Sequence, residues 1–173
     1  WGGAEALLGT NPLAVAIPAG REAPVVLDMA TSVTSFGVIR KHALEGTPLP
    51  EGWAVDPEDG TSVTDARKAA EALLLPIGGY KGSGLALIIG LLAGVLNGAA
   101  FGRDVKEFSA EAAGEGNTGQ FIIALDVARF QPLEQFKAEM DRQIGVLRNS
   151  KALPGVEAVR IPGEDRVRRR AER

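Results

Sequence analysis

A glycine-rich turn that precedes the longest uncharged stretch constrains this chain most. Residues 76–85 read Pro-Ile-Gly-Gly-Tyr-Lys-Gly-Ser-Gly-Leu, and no charged residue follows Lys81 until Arg103. Glycine adopts backbone conformations that other residues avoid, so the turn can hold one lysine at the start of an apolar helix. A lysine placed in this way can bind an anion such as a carboxylate or a phosphate. The alternative is an exposed lysine that only precedes a core helix.

The uncharged segment also raises the question of a membrane helix. Residues 82–102 would reach about 30 Å as a helix, which is enough to cross a bilayer. Glycine recurs at every fourth position from residue 90 to 102, as on the faces where membrane helices pair. Each interior glycine costs about 1 kcal/mol relative to alanine, so another backbone must pack closely on that face. A helix that crosses a sheet, or its copy in a dimer, meets this need in water. We therefore expect a soluble cytoplasmic protein, and keep a membrane-embedded partner protein as an alternative.

Composition excludes several kinds of site. The 173 residues suffice for one ordinary domain, and 45% hydrophobic with 24% charged residues is typical of a globular protein. A net charge of -3 gives no general attraction for nucleic acid. The absence of cysteine excludes disulfides and thiolate metal sites, and a single histidine excludes a cluster of histidine ligands. We predict neither a nucleic-acid partner nor a metal site.

The order of the chain predicts a mixture of strands and helices without regular alternation. Short apolar runs bounded by turn residues predict strands over residues 13–17, 24–28, 53–55, 120–126 and 155–161. Predicted helices are one that Thr31, Ser32 or Thr34 caps and Gly46 ends, a polar one over 64–72, the uncharged one, and an amphipathic one over 132–148. The arginine-rich tail reads as a solvated helix end.

Two familiar nucleotide-binding loops are missing. A Walker loop needs a glycine immediately before its lysine, whereas Lys81 follows Tyr80. A dinucleotide fingerprint that starts at Gly82 needs a glycine at position 87, where the chain has Leu87. A nucleotide site in this chain must therefore be built in another way.

Six motifs in a fixed order carry a resemblance along nearly the whole chain. They are Gly-Thr-Asn-Pro at 9–12, Asp-Met-Ala-Thr-Ser at 28–32, Pro-Glu-Gly-Trp-Ala-Val-Asp at 50–56, Gly-Gly-Tyr-Lys-Gly at 78–82, Asn-Thr-Gly-Gln at 117–120 and Arg-Ile-Pro-Gly-Glu at 160–164. Each motif alone is weak, but the six in order resemble the type-2 malate/L-lactate dehydrogenase family. This family also includes ureidoglycolate and sulfolactate dehydrogenases and cyclic-imine reductases.

The resemblance implies an α+β fold with a mostly antiparallel sheet surrounded by helices, a non-Rossmann NAD(P)-binding domain that works as a homodimer. Residues 1–130 would form part of the cofactor-binding domain. Residues 131–173 would form a C-terminal helical segment that packs on an N-terminal domain. Because the chain begins with Trp1 and nothing there looks like a signal peptide, we expect it to be truncated at the N-terminus.

The resemblance also implies the residues of the site. The turn of Thr10, Asn11 and Pro12 would contact NAD or NADP, and Lys81 would bind the carboxylate of the substrate or the cofactor. Small-residue turns suit this role physically, because backbone amides and hydroxyls bind pyrophosphate and ribose oxygens. The other implied cofactor contacts are Asp28, Met29, Ala30, Thr31 and Ser32, with Asn117, Gly163 and Glu164 as weaker candidates.

Each of these residues also has a purely structural interpretation. Thr31 and Ser32 could serve only as helix caps. Asn117 and Gly163 belong to residue types that turns favour for conformational reasons. Glu164 could pair with Arg166 or Arg168 instead of touching a cofactor.

No residue of the chain matches the catalytic acid/base of the family. That residue is a histidine beside a serine in the N-terminal half, whereas His42 here stands next to Lys41 on a predicted helix and suggests a surface role. Tyr80 and Lys81 could in principle donate a proton, but such side chains ordinarily keep their protons well above neutral pH.

The resulting hypothesis is an oxidoreductase fragment that lacks its catalytic histidine. The complete protein would transfer a hydride between nicotinamide and a 2-hydroxy or 2-oxo acid, or a cyclic imine. Arg21, Arg40 and Lys41 are all conceivable partners of a 2′-phosphate, so NAD and NADP stay open. The alternative is a non-catalytic dimerisation or assembly module that pairs subunits through the glycine-faced helix.

Overall fold

The computed structural model describes residues 2–106 and 116–171, and these divide into two compact units. Unit 1 comprises Trp1–Leu13 with Ala30–Ile122, and unit 2 comprises Ala14–Met29 with Ile123–Arg173. Both units are discontinuous in sequence, whereas the motifs suggested a linear boundary after residue 130. The elements are β1 (Leu13–Ile17), β2 (Val25–Met29), α1 (Phe36–Glu45), β3 (Ala54–Val55), β4 (Leu73–Leu74), α2 (Tyr80–Ala93), α3 (Leu133–Arg148) and α4 (Glu164–Ala171), with 3-10 turns at Val95–Asn97, Gly102–Asp104 and Val127–Arg129.

The N-cap of helix α1 lies further along the chain than any of its predicted caps. The side chain of Ser35 accepts a hydrogen bond from the Val38 amide, so Ser35 is the cap and the prediction of Thr31, Ser32 or Thr34 was wrong. Those residues have other partners, as described below. The predicted end is confirmed, because Gly46 adopts a left-handed conformation with φ of 65°.

The core of unit 1 is small and lies under α1. It consists of Ile39, Leu49, Ala66 and Ala69, and Trp53 and Leu74 pack against it. Strands β3 and β4 are antiparallel, with Ala54 opposite Leu74 and Val55 opposite Leu73.

The polar helix predicted over 64–72 was wrong. Its amides donate three residues back, from Lys68 to Asp65 and from Glu71 to Lys68, which makes consecutive turns rather than an α-helix. These turns place Ala66 and Ala69 in the core and lead into β4, which the sequence did not predict. Tertiary packing of two small side chains prevails over helix propensity in this stretch.

Helix α2 is shorter than the uncharged run that predicted it. It starts at Tyr80 and ends at Ala93. Gly94 leaves no room for a side chain, since a Cβ there would lie 2.7 Å from the Ala100 carbonyl oxygen. Beyond the helix, the side-chain amide of Asn97 donates to the carbonyls of Leu92, Ala93 and Gln120, at 3.0, 3.2 and 2.8 Å. These bonds satisfy groups that a helix end leaves open.

One helical segment in the described part of the chain, Tyr80–Asn97, is long and apolar enough to cross a membrane by those two criteria. Its mean hydropathy is 1.4 and 17% of it is buried. The expectation that it packs against protein rather than lipid stays a prediction.

Unit 2 combines a two-stranded sheet with helices α3 and α4. Strand β1 pairs with β2, and α3 confirms the predicted amphipathic helix, with Ile144 buried on its apolar face. The strands predicted over 120–126 and 155–161 are not paired with any described residue. A strand requires a neighbour to receive its backbone hydrogen bonds, so apolar runs alone did not produce a sheet.

Candidate functional site

Three of the sequence motifs meet at Thr31 in unit 1. The Thr31 amide and hydroxyl both donate to the Thr10 carbonyl, each at 2.8 Å. The Ile77 amide donates to the Thr31 carbonyl at 2.9 Å, and Ser32 forms a β-bridge with Pro76. Thr31 is 1% exposed, so its hydroxyl serves this junction. The Thr-Asn-Pro turn, the end of the Asp-Met-Ala-Thr-Ser segment and the glycine-rich turn thus form one hydrogen-bonded group.

Asn11 fastens the same group to helix α2. Its side-chain amide donates to the Ala86 carbonyl at 2.8 Å, and its own φ of 27° is rare for a residue other than glycine. A Cβ at Gly90 would lie 2.9 Å from the Asn11 amide nitrogen and 2.8 Å from the Phe101 ring. The absence of a side chain at Gly90 therefore makes the space that Asn11 and Phe101 occupy.

Lys81 lies in the first turn of α2 and is exposed. Among the described residues, its ammonium has no hydrogen-bond or ion-pair partner. Gly78 and Gly79 turn the chain with φ of 58° and 64°, and no side chain caps the helix at Gly79. Gly82 is buried, and a Cβ there would overlap the Ile77 carbonyl. The turn thus presents an ammonium together with the amides of a helix start, both of which attract anions.

A second group of predicted residues lies in unit 2, around a cavity of about 360 Å³. Asp28 accepts a hydrogen bond from Arg166 at 2.6 Å on this cavity. Gly163 has φ of 91°, and a Cβ there would lie 3.0 Å from the Val26 side chain and carbonyl. The Val26 amide donates to the Pro162 carbonyl at 3.2 Å. The Pro-Gly-Glu turn is therefore packed beside β2 and brings Gly163 near Asp28.

Glu164 has a structural partner that the sequence did not suggest. Arg148 donates to Oε1 of Glu164 at 2.5 and 3.0 Å, and the Ile161 amide donates to Oε2 at 3.0 Å. Arg148 also donates to Glu22 at 3.1 Å. Hydrogen bonds from Arg148, first to Glu22 and then to Glu164, raise the pKa of its guanidinium. Of the two partners that the sequence suggested, Arg166 instead binds Asp28, and the side chain of Arg168 lies outside the described residues.

Asp141 holds the loop between β1 and β2 in unit 2. Its carboxylate accepts hydrogen bonds from the amides of Gly20, Arg21 and Glu22, at 2.9, 2.9 and 3.2 Å. The bond from the Arg21 amide is the largest of the effects that lower the pKa of Asp141. A charged side chain on α3 thus holds, by hydrogen bonds, a loop about 120 residues away in sequence.

The remaining predicted cofactor contacts do not lie together in one cluster. The Asn117 side chain accepts from the Lys106 amide at 2.9 Å and donates to the Asp104 carbonyl at 2.7 Å, so both ends of its amide bind backbone groups. Ser32 donates to the Thr34 carbonyl at 2.7 Å. Pro12 is exposed, and Met29 and Ala30 are half-buried. A cofactor contact for any of these residues stays a prediction.

His42 is tied into unit 1 rather than free at the surface. Its Nδ1 lies 2.9 Å from the Thr47 hydroxyl, and its ring packs edge-on against Trp53 with centroids 5.6 Å apart. The side chain is half-buried. The ring thus joins the end of α1 to the loop that follows.

Sequence reasoning missed three charged residues that organise unit 2, namely Asp141, Arg148 and Arg166. Each of these side chains forms a hydrogen bond with a group at least 120 residues away in sequence. Each of them also belongs to the polar face of a helix. No local pattern distinguishes such residues from solvated charges. Within residues 2–106 and 116–171, no three histidine or acidic side chains gather in a way that could hold a metal ion.

The motif order agrees with comparisons to known proteins. The family model described as malate/L-lactate dehydrogenase matches residues 1–173. This chain belongs to the malate/L-lactate dehydrogenase family. The resemblance stated from the motifs is thereby confirmed.

Individual members of the malate/L-lactate dehydrogenase family match almost the whole chain but only half of their own length. The L-sulfolactate dehydrogenase of Methanocaldococcus jannaschii is 39% identical over 173 residues, which cover 100% of this chain and 49% of that protein. The NAD(+) ureidoglycolate dehydrogenase of Escherichia coli K12 is 36% identical over 165 residues, which cover 95% and 46%. The solved structure of the M. jannaschii sulfolactate dehydrogenase superposes with a TM-score of 0.85 at 38% identity and covers 96% of this chain and 47% of that one.

These matches support an α+β fold with helices and small sheets. The chain spans about half the length of the curated relatives it matches.

Proposed function

We propose that this chain is the cofactor-holding part of an NAD(P)-dependent oxidoreductase that acts on a 2-hydroxy or 2-oxo acid, or on a cyclic imine. The observation that carries the proposal is the hydrogen-bonded junction at Thr31, which joins three family motifs, one of them the glycine-rich turn that contains Lys81. The reaction is 2-hydroxy acid + NAD(P)+ ⇌ 2-oxo acid + NAD(P)H + H+.

The matched motifs supply candidate cofactor contacts, which are described for each unit separately. In unit 1 these are the turn of Thr10, Asn11 and Pro12 and the neighbouring Ala30, Thr31 and Ser32. In unit 2 they are Asp28, Met29, Gly163 and Glu164, which surround or adjoin the cavity. Backbone amides in glycine-containing turns suit the oxygens of pyrophosphate and ribose, and the bound nicotinamide would supply or accept the hydride. Asn117 is a further candidate.

Lys81 would bind the carboxylate that all 2-oxo acid substrates share. Its ammonium is exposed, is held by two glycines of positive φ, and stands beside the uncapped start of α2. A positive charge and helix amides at the same place favour an anion. Binding there would fix the orientation of the 2-oxo group toward the hydride donor.

The proton donor of the complete enzyme would lie outside this chain. Transfer of a hydride to a carbonyl needs a proton donor that works near neutral pH. His42 is the only histidine among the 173 residues, and its ring is committed to Thr47 and Trp53. The chain alone would therefore bind cofactor without catalysing turnover. The complete fold would be a mostly antiparallel, non-Rossmann one.

An assembly role is the second candidate, and one observation favours it. Apolar side chains on and after α2 are exposed, among them Leu91 at 37% and Val95 at 56%. Such a surface is typical of a protein interface. A homodimer formed through α2 is compatible with the oxidoreductase role and also with a role in assembly alone.

A fluorescence titration separates the two candidates. NADH and NADPH are titrated with the chain, and the inert 2-oxo acid analogue oxamate is then added. We expect cofactor binding by the wild-type chain and by a Lys151→Ala control, since Lys151 is an exposed lysine that follows α3 and belongs to none of the matched motifs. Lys81→Ala should abolish the change in cofactor fluorescence that oxamate causes with the wild-type chain. Absence of NADH and NADPH binding at millimolar concentration would overturn the proposal and leave the assembly role.

A further inference from the structure

Asn11 has an unusual backbone conformation for the segment it belongs to. Its φ is 27°, and among the described residues other than glycine it alone has a positive φ. Proline follows it, and a residue before proline favours extended backbone, so the conformation is disfavoured for a second reason. Backbone of this kind persists only where surrounding contacts impose it, and it is frequent at functional sites. The contacts of Asn11 therefore show what the conformation serves.

The contact that imposes this conformation is made with helix α2. The side-chain amide of Asn11 donates to the Ala86 carbonyl at 2.8 Å, across 75 residues of sequence. The half-buried side chain also fills the space over Gly90, since a Cβ there would lie 2.9 Å from its amide nitrogen. Asn11 is thus a fixed contact between the Thr-Asn-Pro turn and α2.

The face of α2 that Asn11 contacts is the face that packs on the Thr31 junction. Gly82 and Ala86 are four residues apart, so they lie on the same side of the helix, and both are buried. A Cβ at Gly82 would overlap the carbonyl of Ile77, whose amide donates to Thr31. The helix is therefore held at two points one turn apart, at Gly82 by the junction and at Ala86 by Asn11.

Lys81 leaves the helix beside this held face. It directly precedes Gly82, and successive residues of an α-helix differ by about 100° around its axis. A contact at Gly82 alone would leave the helix free to pivot about that point, and the ammonium would move with it. The second contact, one turn later, removes this pivot. The direction of the Lys81 side chain thus depends on the Asn11 amide.

We propose that Asn11 is a positioning residue, which acts through α2 to fix the Lys81 ammonium relative to the Thr-Asn-Pro turn. The side chain of Asn11 serves the lysine, while the backbone of the turn stays available to a cofactor. That Lys81 binds the carboxylate of a 2-oxo acid from this position rests on the proposed function. The position itself is a property of the chain without ligand, so it is tested separately.

The first measurement is hydrogen exchange in the chain without ligand. Asn11→Gly removes the side-chain amide, and glycine adopts a positive φ without strain, so the turn keeps its shape. We expect the amides of residues 84–87 to exchange faster by about tenfold, and those of residues 91–94 to be unchanged. Asn97→Ala is the matched control, because the Asn97 amide donates to carbonyls at the other end of α2. It should accelerate residues 91–94 only.

The second measurement is the affinity of oxamate for the complex of the chain with NADH. Asn11→Gly should weaken oxamate binding by about tenfold, whereas Asn97→Ala should change it by less than about twofold. Both substitutions remove a hydrogen bond to the same helix. A role in helix stability alone would therefore weaken oxamate binding equally in the two variants.

A third measurement uses Asn11→Asp, which has nearly the same shape and a donor that depends on pH. Its ionised carboxyl only accepts hydrogen bonds and repels the Ala86 carbonyl, but once protonated it can donate to that carbonyl. The residues around the Asn11 amide, Ala86, Gly90 and Phe101, carry no charge that could titrate in its place. As the pH falls through the pKa of the new carboxyl, the amide resonance of Lys81 should return to its wild-type position at the same pH. Asn11→Gly should show no such recovery.

Three results would overturn the proposal: unchanged exchange of residues 84–87 in Asn11→Gly, equal loss of oxamate affinity in the Asn11 and Asn97 variants, or no recovery of Asn11→Asp in acid. A wild-type chain that binds neither NADH nor oxamate would instead overturn the proposed function. The exchange and pH measurements would then still decide whether Asn11 positions Lys81.

Discussion

The two units of this chain are stabilised in different ways. Unit 1 has a connected apolar core of Ile39, Leu49, Ala66 and Ala69. Unit 2 buries only Ile144 and Ile161 in the described residues, and is held instead by carboxylates that reach distant amides and guanidinium groups. Exposed ion pairs contribute little to stability, whereas apolar burial contributes in proportion to its area. The difference teaches that unit 1 is organised around buried apolar side chains, while the described contacts of unit 2 are mainly hydrogen bonds and ion pairs.

The largest expected effect tests the rigidity of unit 1 at the glycine-rich turn. Gly82→Ala would push a Cβ into the Ile77 carbonyl, which belongs to the backbone and cannot rotate away. We expect a loss of about 4 kcal/mol or more in the free energy of unfolding, because a backbone shift is needed to relieve the overlap. Urea denaturation followed by circular dichroism measures it.

Gly84→Ala is the matched control on the same helix. No atom lies within 4 Å of a Cβ at Gly84. An alanine there should stabilise α2 by about 0.5–1 kcal/mol. Equal effects of the two substitutions would contradict the close packing described for Gly82.

The next effect sharpens the contrast between the cores. Ile39→Ala should destabilise unit 1 by about 3 kcal/mol, since it leaves a cavity beside Leu49 and Trp53. Hydrogen exchange resolved by peptide should show faster exchange in unit 1 and little change in unit 2. Leu44→Ala, which removes an 80% exposed side chain from the same helix, should have almost no effect. Uniform acceleration across both units would mean that they unfold together.

The smallest effect concerns the charged contacts of unit 2. Asp141→Asn removes the charge that accepts three backbone amides, and should lower the melting temperature at pH 7. Because hydrogen bonds, first that of the Arg21 amide, lower the pKa of Asp141 in the folded protein, its stabilisation is complete above the unfolded pKa. It is lost as the pH falls through the lowered folded pKa. The difference from wild type should therefore shrink in acid.

Glu139→Gln is the control for that charge change on the same helix. Hydrogen bonds from Arg142 and Gln143, both one turn away, lower the pKa of Glu139 to about 2. These contacts are local and exposed, so the variant should melt like wild type at pH 7. A larger effect of Glu139→Gln than of Asp141→Asn would show that the loop contact of Asp141 is dispensable.

Local sequence patterns predicted the elements whose formation depends only on residues within the element itself. The apolar stripe of α3, the Gly46 end of α1 and the strand Leu13–Ile17 were all predicted, because periodicity and turn residues lie within the segment. The strands at 120–126 and 155–161 were wrong, because a ladder also needs a neighbour that the sequence of the strand does not name. The turn at 64–72 was mistaken for a helix, because the core accepted its alanines instead.

By itself the sequence determined the family, through six motifs whose order survives without any knowledge of contacts, and it determined which backbone positions require glycine. Only the tertiary structure decided which residues of these motifs are in contact. Buried Thr31 donates to the Thr10 carbonyl, and Asn11 occupies the space beside Gly90. Arg148, and not Arg166, binds Glu164. The physical reason is distance along the chain. A hydrogen bond or a close approach between residues far apart in sequence leaves no periodic trace in either segment, so it becomes visible only once the fold has brought the two together.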